Sequence, residues 1–143
     1  MPTQKKQSAT WRIALAHYLI AGFAVPFVGS LSLTFFYYYA LPVLTDTTYL
    51  VLGVGETMVL TFIGVILGAQ YIRRKYRITD VSSVANLSAA YIVVFTGLWM
   101  SANMLFLSQL AEVPVTEMTI ASIESALGIL VFYFSSKKYI RTN

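Results

Sequence analysis

Apolar positions along this chain fall into long unbroken runs, not into the alternating or narrow amphipathic stripes of a soluble fold. From Ile13 to Thr45 there is no Asp, Glu, Lys or Arg. A helix needs only ~20 residues, at ~1.5 Å each, to cross the ~30 Å hydrocarbon layer of a bilayer. The runs predict four such helices in one domain spanning 1–143, over about 14–39, 49–72, 84–107 and 115–136. Pro26 stands near the middle of the first and lacks a backbone donor, so a kink is expected there. Tyr37, Tyr38 and Tyr39 follow where that helix reaches the outer interface, a level that amphipathic rings favour. Leu41 to Thr48, with Pro42, Asp46 and three threonines, reads as a tight turn. Arg73 to Ser83 is a second, basic connection in which Thr79 or Asp80 caps the next helix. Ala111 to Glu117, with Glu112, Pro114 and Glu117, is the third turn. The fold class is therefore all-α, a polytopic membrane protein of four transmembrane helices.

Composition agrees with the pattern. Hydrophobic residues make up 57% and charged ones 11%, with a mean hydropathy of +0.69, against about 25% charged in soluble domains. A net charge of +4 raises the question of nucleic acid, and the placement of the ten basic residues answers it. They are Lys5, Lys6, Arg12, Arg73, Arg74, Lys75, Arg77, Lys137, Lys138 and Arg141. These flank the apolar runs and line no face, which speaks for membrane orientation and against a nucleic-acid partner. The first and third loops carry only Asp46, Glu112 and Glu117, so both termini are expected on the cytoplasmic side of a cell membrane. The N-terminal run is too long for a signal-peptide core and lacks a small-x-small cleavage site, so it is kept as a spanning helix. With no cysteine, disulfide and thiolate chemistry are excluded.

Shifting the sequence against itself by 68 positions places Glu56 on Glu124 and Tyr71-Ile72-Arg73 on Tyr139-Ile140-Arg141. The same shift, without a gap, aligns Leu19, Ala21, Val25, Phe27 and Gly29 with Leu87, Ala89, Val93, Phe95 and Gly97. This suggests two parallel-repeat hairpins, 16–75 and 84–143, related by a pseudo-twofold axis along the bilayer normal.

Polar residues inside such spans are few, and so carry weight. Glu56 and Glu124 fall about seven residues inside the outer ends of their helices, and Asn103 should reach a similar depth. A charge there costs on the order of 3 kcal/mol or more, so these groups should face the bundle interior, a wet cavity or a partner. The functional expectation is a site for a proton, a cation or the polar part of a substrate. The structural one is a neutral carboxyl hydrogen-bonded to a neighbouring hydroxyl. His17, the only histidine, is expected at the cytoplasmic interface; one imidazole cannot supply bis-His haem ligation, and no metal site or other cofactor site is legible. No phosphate loop or Ser-His-Asp set is present, so an enzyme is not expected. Gly64 and Gly68, in GxxxG spacing, are read as packing against a sister helix in the same chain. The basic clusters set orientation against anionic headgroups. A sharper reading has Arg73, Arg74, Lys75, Lys138 and Arg141 hold a lipid phosphate.

The HYLIAG opening of the first helix at His17 to Gly22, the duplicated hairpins, and the aromatic-plus-basic ends QYIRRKYR (Gln70 to Arg77) and KKYIRTN (Lys137 to Asn143) resemble the GtrA-like family of small four-helix membrane proteins. The resemblance covers almost the whole chain. It implies translocation of a polyprenyl-phosphate-linked sugar, or anchoring of the glycosyltransferase that makes or uses it. The basic ends would then face the phosphate and the carboxylates the sugar. The alternative from the residues is a proton- or cation-coupled small-molecule transporter or channel using Glu56 and Glu124, assembled as a homo-oligomer because four helices enclose little pathway. A third, purely structural membrane subunit would be indifferent to any single polar substitution.

Overall fold

The computed structural model describes residues 8–40, 46–107 and 115–141; the first and third expected turns lie largely outside the described residues. It is all-helical. The first span is built from α1 (Thr10–Tyr18), a π-helical turn (Leu19–Ala24) and α2 (Val25–Ala40), followed by α3 (Asp46–Lys75), α4 (Val81–Leu107) and α5 (Val115–Tyr139). Four helices are long and apolar enough to cross a membrane: Thr10–Tyr37, Val51–Lys75, Val81–Phe106 and Met118–Tyr139.

Where the sequence suggested a kink at Pro26, the helix instead carries a π turn that ends at Ala24, just before it. Proline offers no N–H and its ring would strike the carbonyl of residue 22 in a regular helix. The turn widens the ladder instead, and the Val25 N–H donates to the Ile20 carbonyl. At the other boundaries the helices run a few residues past the apolar segments. Arg73, Arg74 and Lys75 sit in the last turn of α3, and Lys137 and Lys138 in that of α5, where cations oppose the helix dipole favourably. Asp80 caps α4. Its Oδ1 accepts from the Ser83 N–H at 3.0 Å and its Oδ2 from the Ser83 hydroxyl at 2.5 Å, and these bonds hold its carboxyl below the ordinary value.

Two apolar clusters fill the end of the bundle where α3 and α5 finish. One gathers Ile13, Ala14, Ala69, Ile72, Val84, Ala85 and Ile140; the other gathers Tyr18, Ala21, Val65, Ile92 and Phe132. Small residues let the backbones meet. A Cβ on Gly64 would collide with the Ala21 carbonyl, and one on Gly68 would stand 3.1 Å from both Ala21 Cβ and His17 Cδ2. The GxxxG face therefore packs within the chain, as the sequence suggested. Toward the opposite end α3 lies along α5 in parallel, with Gly53 against Glu124 and Thr57 against Gly128. There α2 packs on α3, Gly29 against Leu60. Among the described residues Arg12, Arg73, Arg74, Lys75, Arg77, Lys137, Lys138 and Arg141 are all exposed and all sit at one end of the bundle.

Candidate functional site

Glu56 and Glu124 line one cavity of about 210 Å³ together with Ser30, Thr34, Tyr37, Gly53 and Thr57. Three elements build it. The helical spacing of Gly53, Glu56 and Thr57 puts them on one face of α3; α5 brings Glu124 opposite; and α2, redirected by the π turn, supplies the hydroxyls of Ser30, Thr34 and Tyr37. Both carboxyls are half-buried. A Cβ on Gly53 would lie 2.5 Å from Glu124 Oε1, so the bare α3 backbone is what makes room for that carboxylate. No basic residue is among those lining the cavity. Two carboxyls and four hydroxyls, with no basic residue among the lining, form an oxygen-only donor set, suited to a proton or to a cation that sheds part of its hydration. Among the described residues no group of three His, Cys, Asp or Glu is placed to hold a metal ion.

The other expected site residues lie elsewhere. Asn103 donates from Nδ2 to the Trp99 carbonyl of its own helix at 2.9 Å and does not line the cavity. Depth alone put it with the carboxylates; no residue of its helix, α4, lines the cavity. Arg73, Arg74, Lys75, Lys138 and Arg141 gather at the far end, where Lys75 is hydrogen-bonded to Tyr71 Oη at 2.8 Å and Lys138 lies 5.5 Å from the centre of the Tyr139 ring. Arg73 lies seventeen positions beyond Glu56 along α3, about 25 Å of helix at ~1.5 Å per residue. That is too far for one phosphate-linked monosaccharide to touch both sets at once.

His17 corrects the sequence reading. It is 0% exposed, inside the bundle and not at its interface, with its ring 5.4 Å from that of Phe132 and its Cδ2 against Gly68. The signal was present: Ala14, His17 and Ala21 share the small-residue face of the first helix at i, i+3 and i+7, which is the buried one. Neither ring nitrogen has a hydrogen-bond partner among the described residues, and neither does the buried Ser136 hydroxyl. The Val65 carbonyl approaches the ring without forming a good hydrogen bond. Each such orphan costs about 1–3 kcal/mol if left dry.

No family model, curated protein or solved structure matches the chain. What the site can do rests on its own chemistry.

Proposed function

We propose that this is a small multi-pass membrane transporter that binds a proton or a small cation between Glu56 and Glu124 and couples that binding to movement of a small molecule. The observation that carries the reading is the shared cavity: two carboxyls from different helices, both inside spanning segments, with no basic side chain lining it among the described residues. A lone membrane carboxyl is often helix glue, but two aimed into one space repel unless a positive charge or proton sits between them. Repeat symmetry would explain why they meet, since parallel packing of α3 on α5 brings equivalent positions together. The alignment also accounts for one-sided access. The repeat mates of Ser30, Thr34 and Tyr37 are Leu98, Ala102 and Leu105, so only the first hairpin supplies hydroxyls. The basic end is the cytoplasmic one in this reading, which opens the cavity to the outer half of the bilayer.

The test is flux in proteoliposomes under an imposed pH or cation gradient. Glu56→Gln and Glu124→Gln, inserted normally, should each lower coupled flux at least tenfold; full activity in both removes the reading.

A second reading draws on the opposite end of the bundle. There Arg73, Arg74, Lys75, Lys138 and Arg141 are exposed at the same end because α3 and α5 run parallel. This supports a lipid-phosphate contact, and with it the GtrA-like role with a polyprenyl-phosphate-linked sugar or its glycosyltransferase. It predicts that replacing these five by Gln abolishes binding of polyprenyl phosphate in vesicles, while the carboxylate variants do not.

A further inference from the structure

The two apolar clusters of the inner half are separated by a polar layer. On each helix the dividing residue is polar or lacks a side chain. Along the first helix His17 falls between Ala14 of one cluster and Ala21 of the other; along α3, Gly68 separates Ala69 and Ile72 from Val65. On α4, Ser88 divides Ala85 from Ile92, and on α5, Ser136 divides Ile140 from Phe132. His17, Ser88 and Ser136 are each 0% exposed. Ser88 is satisfied, donating to the Val84 carbonyl at 2.8 Å and lying 3.2 Å from that of Ala14. His17 and Ser136 are not: Nδ1, Nε2 and Oγ are three buried polar atoms without partners among the described residues. Ser136 is one turn beyond Phe132 on the same face, and the Phe132 ring touches His17. On α3 the bare backbone of Gly68 lets the imidazole pack close, since a Cβ there would stand 3.1 Å from His17 Cδ2.

Internal water binds where two to four polar atoms converge in a core. An imidazole offers one donor and one acceptor, and a hydroxyl adds both. We propose that this layer is a hydrated proton-binding site centred on His17, the inner station of a path whose outer station is the Glu56–Glu124 cavity. Its role in transport rests on the proton or cation reading above; its hydration does not. Between the stations α3 carries one further buried polar residue, Thr61, 4% exposed. The cluster of Tyr18, Ala21, Val65, Ile92 and Phe132 is the dry barrier that a moving proton must breach.

Among the described residues no carboxylate or ammonium competes with the imidazole at its own level. Residues 57–70 of α3 contain no ionisable group. From α4 the nearest is Tyr91 and from α5 Tyr139, both packed on these clusters. On its own helix Tyr18 follows it and Arg12 is exposed at the end; Tyr133, Lys137 and Lys138 extend from α5 toward the surface. In this proposal a proton taken up at His17 is held by water, with the Val65 carbonyl beside the ring.

A single histidine makes the test direct. The full chain, labelled with ¹⁵N in the imidazole and placed in lipid nanodiscs, gives one pair of ring-nitrogen signals. Magnetisation transfer from water to these nitrogens, and exchange of the ring N–H in deuterium oxide within hours, is the expected result; no transfer and no exchange in the folded protein overturns the site. Ser136→Ala should reduce the water transfer at least twofold, and an unchanged signal removes Ser136 from it. In proteoliposomes His17→Asn, which keeps a donor and an acceptor but takes up no proton, should lower proton-coupled flux at least tenfold; wild-type flux overturns the inner-station role. A hydrated His17 beside fully active Glu56→Gln and Glu124→Gln proteins would sink the transport reading and leave the site standing.

Discussion

The carboxyl group of Glu124 lies against the bare backbone of Gly53, where a Cβ would come within 2.5 Å of Oε1. A glycine in the middle of a helix costs up to about 1 kcal/mol relative to alanine, and here that cost makes room for an acid. Gly53→Ala should push the carboxyl out of the cavity with little effect on the fold, because the atom displaced is the far end of a flexible side chain. Cation- or proton-coupled flux should fall at least fivefold while thermal stability in detergent holds. Gly55→Ala, with nothing within 4 Å of the new methyl, should leave flux as it was. Equal flux in both variants would mean that the Glu124 position does not matter.

Gly64 presents the opposite case, since a methyl there would strike the Ala21 carbonyl, part of the π turn's own backbone. Neither partner can swing away as a side chain can. Gly64→Ala should destabilise the protein by about 1–3 kcal/mol, the usual range for overpacking, seen as a lower melting temperature and an earlier midpoint in denaturing detergent. Gly97→Ala on α4 meets no atom within 4 Å and serves as the comparison. If the two variants melt together, the close approach of the π turn to α3 is wrong.

The four helices were legible because hydrocarbon as solvent demands long apolar segments, and that demand is written in composition. The meeting of Glu56 and Glu124 was half legible. Matched depth followed from counting, but which face each acid occupies depends on how α3 crosses α5, and apolar runs without a polar side carry no phase. The same gap misplaced Asn103, which is deep enough yet turned toward its own backbone. The hydroxyls of Ser30 and Thr34 drew no notice, since Ser and Thr bonded to their own helix, as Ser32 is to Val28, are ordinary in spans, and Tyr37 was read only as an interfacial ring. His17 went astray for a different reason: imidazole near a helix end suggests an interface, whereas the small residues flanking it marked the buried face.

Asp80 offers a pH-dependent prediction outside the spans. Its bonds to Ser83 hold its carboxyl below the ordinary value of 3.8. A carboxyl whose pKa is lower folded than unfolded contributes stability above the unfolded value, and loses it as the pH falls through the folded one. The start of α4 should therefore stay protected at neutral pH and fray only in acid below 3.8. Amide exchange at Ser83 reports this, with faster exchange in Asp80→Ala at pH 7 and convergence of the two proteins in strong acid. A difference that persists there would mean that the cap is not carried by the ionised carboxylate.

Pro26 decides where α2 points, and through it which hydroxyls reach the carboxylates. In a regular helix residue 26 would donate to the carbonyl of residue 22, and proline can neither donate nor fit there. The π turn resolves the conflict by absorbing one extra residue before α2 begins. Pro26→Ala restores the donor and removes the clash, so the turn is free to relax to α-helix, which rotates α2 by about 100° relative to α1. Ser30, Thr34 and Tyr37 then leave the cavity together. Leu60 opposes the rotation, because its methyls fill the space beside Gly29; Leu60→Ala should ease the change. Because the chain lacks cysteine, a disulfide between Ser30→Cys and Thr57→Cys, two positions lining the cavity, reports the geometry without background. It should form readily with Pro26, less with Pro26→Ala and least with Pro26→Ala and Leu60→Ala combined, with flux falling in the same order. Unaltered crosslinking across the three would show that α2 is held by its packing on α3 and owes nothing to the proline.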